Sequence, residues 1–206
     1  MLSTDIKIET KMASLYVKTK IICIKPSSID SNKERFDELC RVSCKNYKNK
    51  WCCPPFSPEF SDYSREYSEL LVCLMSINLN QLNYIKNDYL KVKAANIIMK
   101  SRVDRVLREM AIFGNGKMIS TGSCRMCMPC RLKNEEDCRY PEKMGYSFEA
   151  LGVNVGKLSI ELFSHKLLWY KKGQLPEYTS VVAGVLLNSR VTEHELMVPF
   201  QVLEIK

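Results

Sequence analysis

No run of about 18 or more apolar residues occurs in this chain, so it offers no transmembrane helix. The opening stretch, Met1 to Lys7, has no basic-then-apolar layout of a signal peptide, and the expected location is cytoplasmic. There is no glycine fingerprint of a dinucleotide fold, no P-loop and no zinc-protease helix motif, which leaves flavin and nicotinamide cofactors without support. Histidine is scarce. His165 and His194 are the only two, and neither has a partner motif beside it, so both are read as structural or solvated side chains. No internal repeat or low-complexity linker divides the chain.

What remains is a sequence of 206 residues, 46% hydrophobic, long enough to bury one core of its own. It is read as a single domain over 1–206. Ten cysteines are present. In a cytosolic chain they point to metal or redox chemistry rather than to a disulfide framework. Thirty-one basic residues against 23 acidic ones give a formal charge of +8. Thiolates bound to metal are deprotonated outright, and two four-thiolate clusters would reduce that charge to about +4. The basic excess brings no recognisable nucleic-acid motif with it, so nucleic acid is not the expected partner.

Patterning predicts alternating strands and helices. Lys18 to Lys25 reads as a short strand and Asn32 to Val42 as a helix that delivers Cys40 near its end, with Cys44 in the turn beyond. Leu70 to Ile77 has strand length. A long amphipathic helix runs through Ile85, Tyr89, Val92, Met99, Val103, Val106, Met110 and Phe113 and stops at Gly114 and Gly116. Met118 to Thr121 is a short strand, Tyr146 to Leu151 one or two helical turns, and Gly156 to Tyr170 a helix. Tyr178 to Leu187 is the clearest strand, and Phe200 to Ile205 adds an edge strand. The fold class expected is α+β or α/β, a sheet-and-helix sandwich carrying two cysteine-rich metal-binding loops at residues 40–58 and 122–141.

Cys124, Cys127 and Cys130 stand at Cys-x2-Cys-x2-Cys spacing, and Cys138 follows after seven intervening residues, shortly before Pro141. Three thiolates so close can wrap one iron–sulfur cluster, whereas a zinc site takes its ligands as separated pairs. The four are read as ligands of a [4Fe–4S] cluster, with zinc as the alternative and non-metal thiol chemistry as the remainder. In two-cluster ferredoxins the last cysteine of such a run serves the other cluster, a role open to Cys138.

The other group is Cys40-x3-Cys44-x7-Cys52-Cys53, followed by Pro54 and Pro55. Neighbouring side chains in extended backbone point to opposite sides. Cys52 and Cys53 are therefore not expected to share one metal ion, although they could reach different corners of a cluster. Cys40, Cys44 and Cys53 are the favoured ligands, and Cys52 is the ambiguous fourth. Three thiolates leave one iron open. The alternatives for this group are a structural zinc or a plain thiol cluster. Cys23 and Cys73, alone in apolar runs, are read as core residues. Between Cys40 and Pro58 the charges are Arg41, Lys45, Lys48 and Lys50, with no acid before Glu59. They suit charge compensation, or the reception of an acidic partner or anionic substrate.

Taken together, Cys40-x3-Cys44-x2-Tyr47, Cys53-Pro54-Pro55, Gly122-Ser-Cys124-x2-Cys127-x2-Cys130, Cys138-Arg139-x-Pro141-Glu142 and Ser147-x-Glu149-Ala150-Leu151-Gly152 resemble a widespread microbial family of predicted metal-binding proteins, known as domain of unknown function 2284. The resemblance spans most of residues 40 to 155 and implies metal binding, iron–sulfur by preference, without supplying a reaction. Cysteine is not regular in that family at the position of Cys52, which favours three ligands in the first group.

The function expected is that of a cytosolic iron–sulfur protein in redox chemistry, an electron relay or oxidoreductase component meeting a redox partner protein or a small anionic substrate. One alternative is an enzyme whose open-iron, three-cysteine cluster acts as Lewis acid or sulfur-binding site, with a lysine or Tyr47 handling protons. The other is a zinc-stabilised binding module.

Overall fold

The computed structural model describes residues 1–188. The expected edge strand at Phe200–Ile205 and His194 lie outside the described residues. One six-stranded sheet organises the chain, built from β1 (Leu2–Glu9), β2 (Ser14–Ile24), β3 (Glu69–Asn78), β4 (Lys117–Ser120), β5 (Tyr146–Ser147) and β6 (Tyr178–Leu187). Their spatial order is β1-β2-β3-β6-β4-β5. Every neighbouring pair is antiparallel except β4 with β5, which run parallel. The class is α+β.

Both faces of the central strands are covered, which is why β3 and β6 read as nearly continuous apolar runs. Leu71, Cys73, Met75 and Ile77 face one core with Val181, Ala183 and Val185, while Leu70, Val72 and Leu74 face a second with Val182 and Leu186. The first core is roofed by the long helix α3 (Asp88–Phe113). It starts at Asn87, whose side chain accepts the Leu90 amide, and ends at Gly114. The buried stripe of α3 is Val92, Ala95, Met99, Val103, Val106, Leu107 and Ala111. Each valine, leucine or methionine of the stripe removed from water contributes roughly 1.5–3 kcal/mol before entropy is counted. Tyr89 and Phe113, expected in the stripe, are exposed, at 55% and 89%. The 3.6-residue repeat carries them off the face that touches the sheet.

The second core lies under α2 (Phe60–Ser64), α4 (Val155–Phe163) and the turn at Phe148–Val153. Here the expectations need three corrections. Tyr146–Ser147 is a strand, not a helical turn, because its backbone pairs with Ile119 and Ser120; the turn begins only at Phe148. The helix expected to reach Tyr170 stops at Phe163, where Ser164 takes a left-handed conformation and closes it. The hairpin partner β1 was not anticipated, although Ile6 and Ile8 alternate with polar residues and fill the first core beside Leu15 and Val17.

Helix α1 (Lys33–Ser43) buries no side chain. An isolated helix of this length is marginal in water, so its ends must hold it. Asn32 caps it by accepting the Arg35 amide, and the Asn32 amide donates to the Gly152 carbonyl at 2.8 Å. Gly152 has φ +87°, and a Cβ there would lie 2.8 Å from the Lys33 backbone. The close approach that seats α1, and with it Cys40 and Cys44, therefore demands glycine. Gly152→Ala should cost about 2 kcal/mol in unfolding free energy, read from the denaturation midpoint. An unchanged midpoint would show that α1 does not depend on this contact.

Candidate metal centre

Two stretches with no strand or α-helix carry seven cysteines, and an eighth, Cys40, stands near the end of α1. The first, residues 44–59, leaves the end of α1 and runs to α2. The second, residues 121–145, is the whole connection between the parallel strands β4 and β5. Prolines explain the absence of regular structure, since they remove donors and restrict the residue before them.

Both stretches are anchored to the scaffold. Ser57 donates to the Ala150 carbonyl at 2.7 Å, and the Phe60 amide donates to Leu151. The first stretch is thus tied to the same turn that seats α1. The second is clamped from α3 by two residues one helical turn apart. Asp104 accepts from the Thr121 amide and hydroxyl at 3.0 and 2.9 Å and pairs with Arg125 at 3.0 Å. Arg108 Nε donates to the Lys143 carbonyl at 3.3 Å, holding the far end.

Three consecutive residues then join the stretches to each other. Lys50 Nζ donates to the Cys124 carbonyl at 2.6 Å and meets Ser123 Oγ at 3.3 Å. Trp51 Nε1 donates to the Glu136 carbonyl at 3.0 Å. The Cys124 amide donates to Cys52 Sγ at 3.0 Å. The outcome is one small chamber of about 20 Å³ whose lining includes Cys52, Cys124, Cys127, Cys130 and Cys138. Its remaining walls are Lys50, Trp51, Met126, Tyr140 and Met144, and no carboxylate is among them.

Cys53 lies next to this chamber, its sulfur 3.8 Å from that of Cys52. The argument from extended backbone does not hold here, because residues 51–57 turn tightly and bring the neighbouring sulfurs together. The pair is polarised. The Cys53 thiol, the Cys124 amide and the charge of Lys50 all favour a Cys52 thiolate and push its pKa down, against the penalty of burial. Cys53 is pushed up, first by its bond to Cys52 and then by burial. Cys44 is exposed and acts electrostatically on both Cys53 and Cys40. Cys40 is half-buried, and burial raises its pKa. Burial also raises that of Cys124. The Cys52–Cys53 pair thus connects the thiols of the chamber to the first stretch.

Among the described residues, no three cysteine, histidine or acidic side chains are already converged in metal-coordinating positions. The donor chemistry nevertheless fits a soft metal, because five cysteine thiols and two methionine thioethers dominate the chamber wall. The other cysteines stand apart. Cys73 is a core residue, 1% exposed, with its thiol pKa raised by burial. Cys23 is only half-buried and donates to Glu69 Oε2 at 3.2 Å, so the expectation of a core residue holds for Cys73 alone. His165 Nε2 meets Ser180 Oγ at 2.9 Å, far in sequence from either stretch.

The predicted metal-binding protein family DUF2284 matches residues 23–187. The chain belongs to this family. The matched span takes in both cysteine stretches, the α3 clamp and the Gly152 turn. No curated protein and no solved structure matches the chain.

Several site residues carried no signal of their own in the sequence. Asp104 and Arg108 sit among many charges on a long helix, and Met144 and Tyr146 follow the last cysteine without a motif. Only the contacts of the folded chain single them out. Lys50 supplies both a charge and a tether. Replacing it by Met should leave the fold intact while loosening Cys124, so that metal is stripped by a chelator about tenfold faster than from the parent protein. Equal stripping rates would show that the tether is dispensable.

Proposed function

We propose that this protein is an iron–sulfur protein of cytosolic redox chemistry, an electron relay or oxidoreductase component. Cys124, Cys127, Cys130 and Cys138 would hold one [4Fe–4S] cluster, and Cys40, Cys44 and Cys53 would hold the other. The observation that carries the reading is the chamber lined by five thiols and no carboxylate, with Cys53 3.8 Å beyond it. When bound, such clusters supply one-electron redox chemistry. The chain's own groups have definite tasks. Lys50 offsets thiolate charge from the inner side, and the Cys124 amide stabilises the Cys52 sulfur as an anion. Trp51, Tyr140 and Met144 shield the wall from water. Cys52 meets the Cys53 sulfur on one side and the Cys124 amide on the other, and so links the two groups.

A second reading is favoured by one observation. The chamber's 20 Å³ has room for about one water-sized occupant, which suits a single zinc ion held by four thiolates in a binding module. A cubane needs the Cys124–Cys130 turn to open, and exposed Met128 and the lack of regular structure around it leave that turn free to do so.

A cysteine series on anaerobically purified protein separates the readings. Cys127→Ser should lose about one cluster's worth of iron and sulfide and destabilise the fold, because metal binding is coupled to folding. Cys53→Ser should empty the first group and leave the second loaded. Cys52→Ser should keep most of its metal. Stoichiometric zinc with no sulfide in every variant would establish the binding module instead.

A further inference from the structure

Behind the loop that closes the thiol chamber lies a second, larger cavity of about 480 Å³. Its size falls in the range of small-molecule sites and exceeds what a lone inorganic anion fills. Three cations line it, Arg108, Lys117 and Lys143, against one acid, Glu142. Among the described residues, none of the three cations has a carboxylate within ion-pair distance. Unpaired cations converging on a cavity favour an anionic occupant.

The other walls are flat. Tyr63, Tyr67 and Tyr146 all line the cavity. The Tyr63 hydroxyl donates to the Met118 carbonyl at 2.9 Å, which fixes that ring, and the Tyr146 ring packs on it edge-on at 5.2 Å. Lys117 Nζ stands 5.3 Å from the Tyr63 ring centroid and 5.6 Å from that of Tyr67. A cation already seated over two aromatic faces is held in position, and the tyrosine faces favour a planar ring. Arg108 is held too, by its bond to the Lys143 carbonyl.

We propose that this cavity binds a small anion carried on a planar ring, its charge on Lys117, Arg108 and Lys143 and its ring among the tyrosines. The site adjoins the candidate metal centre. Met144 belongs to both walls. The inference does not depend on which metal the thiols hold. It places a binding cavity for the small molecule where the sequence offered only a basic charge.

The test is calorimetric titration of anaerobically purified full-length protein with 1-naphthyl phosphate, with inorganic phosphate and 1-naphthol as probes lacking the ring or the charge. Saturable one-to-one binding of 1-naphthyl phosphate is expected, with each partial probe weaker by at least roughly tenfold. Binding should fade as salt is raised. Lys117→Gln should weaken it about tenfold, as loss of one charge-assisted contact does. Glu142→Gln should tighten it, an outcome that a damaged fold would not produce. Metal content measured on the same samples reports separately on the loop. No saturable binding of 1-naphthyl phosphate, or equal affinity in the parent, Lys117→Gln and Glu142→Gln proteins, would overturn the proposal.

Discussion

The scaffold must bring the two cysteine stretches close enough for the Cys124 amide to reach the Cys52 sulfur, and the rest of the centre depends on that constraint. The two residues are 72 positions apart, and neither cysteine stretch has a strand or α-helix to hold it in shape. Closing so long a loop is costly in chain entropy, and a single hydrogen bond would not offset it. The cost is met elsewhere, by the two buried cores that sandwich the sheet. With β4 and α3 fixed, Asp104 and Arg108 can grip the ends of the second stretch. With the turn at 148–153 fixed, Gly152, Ala150 and Leu151 can receive α1 and the first stretch. Lys50, Trp51 and Cys52 then complete the join.

This division of labour accounts for what could be read without coordinates. Strands β3 and β6 were legible because both their faces are buried, and continuous Leu and Val runs admit few other readings. Helix α3 was legible through its middle, where Val92, Met99, Val103 and Val106 are buried as expected, but not at its ends, where the 3.6-residue repeat carries Tyr89 and Phe113 off the buried face. Both cysteine stretches were legible by spacing. Their union was not. Nothing local in Lys50-Trp51-Cys52 says that these residues reach across to Cys124 and Glu136. The expected opposition of Cys52 and Cys53 rested on extended backbone, and the turns at residues 51–57 remove that premise. The hairpin β1–β2 was half missed because Ile6 and Ile8 alternate among charged residues, a pattern that becomes a strand only against a partner.

The electrostatics follow from the same join. Thiols alone in a buried chamber would resist ionisation, as Cys124 and Cys73 do. The Cys53 thiol, the Cys124 amide and Lys50 reverse that tendency at Cys52, whose sulfur touches both stretches. A formal charge of +8 on the chain then has two local uses, one beside the thiolates and one around the cavity of Arg108, Lys117 and Lys143. Family membership and the sulfur-rich donor set agree on metal binding. They leave the kind of metal to chemistry that sulfur ligation alone does not decide.

X-ray absorption at the iron and zinc edges of the anaerobically purified protein addresses that point most directly. The account predicts iron bound by sulfur, with a second scattering shell from neighbouring iron that only a cluster provides. Zinc in a four-sulfur shell, with no iron–iron scattering, would contradict it.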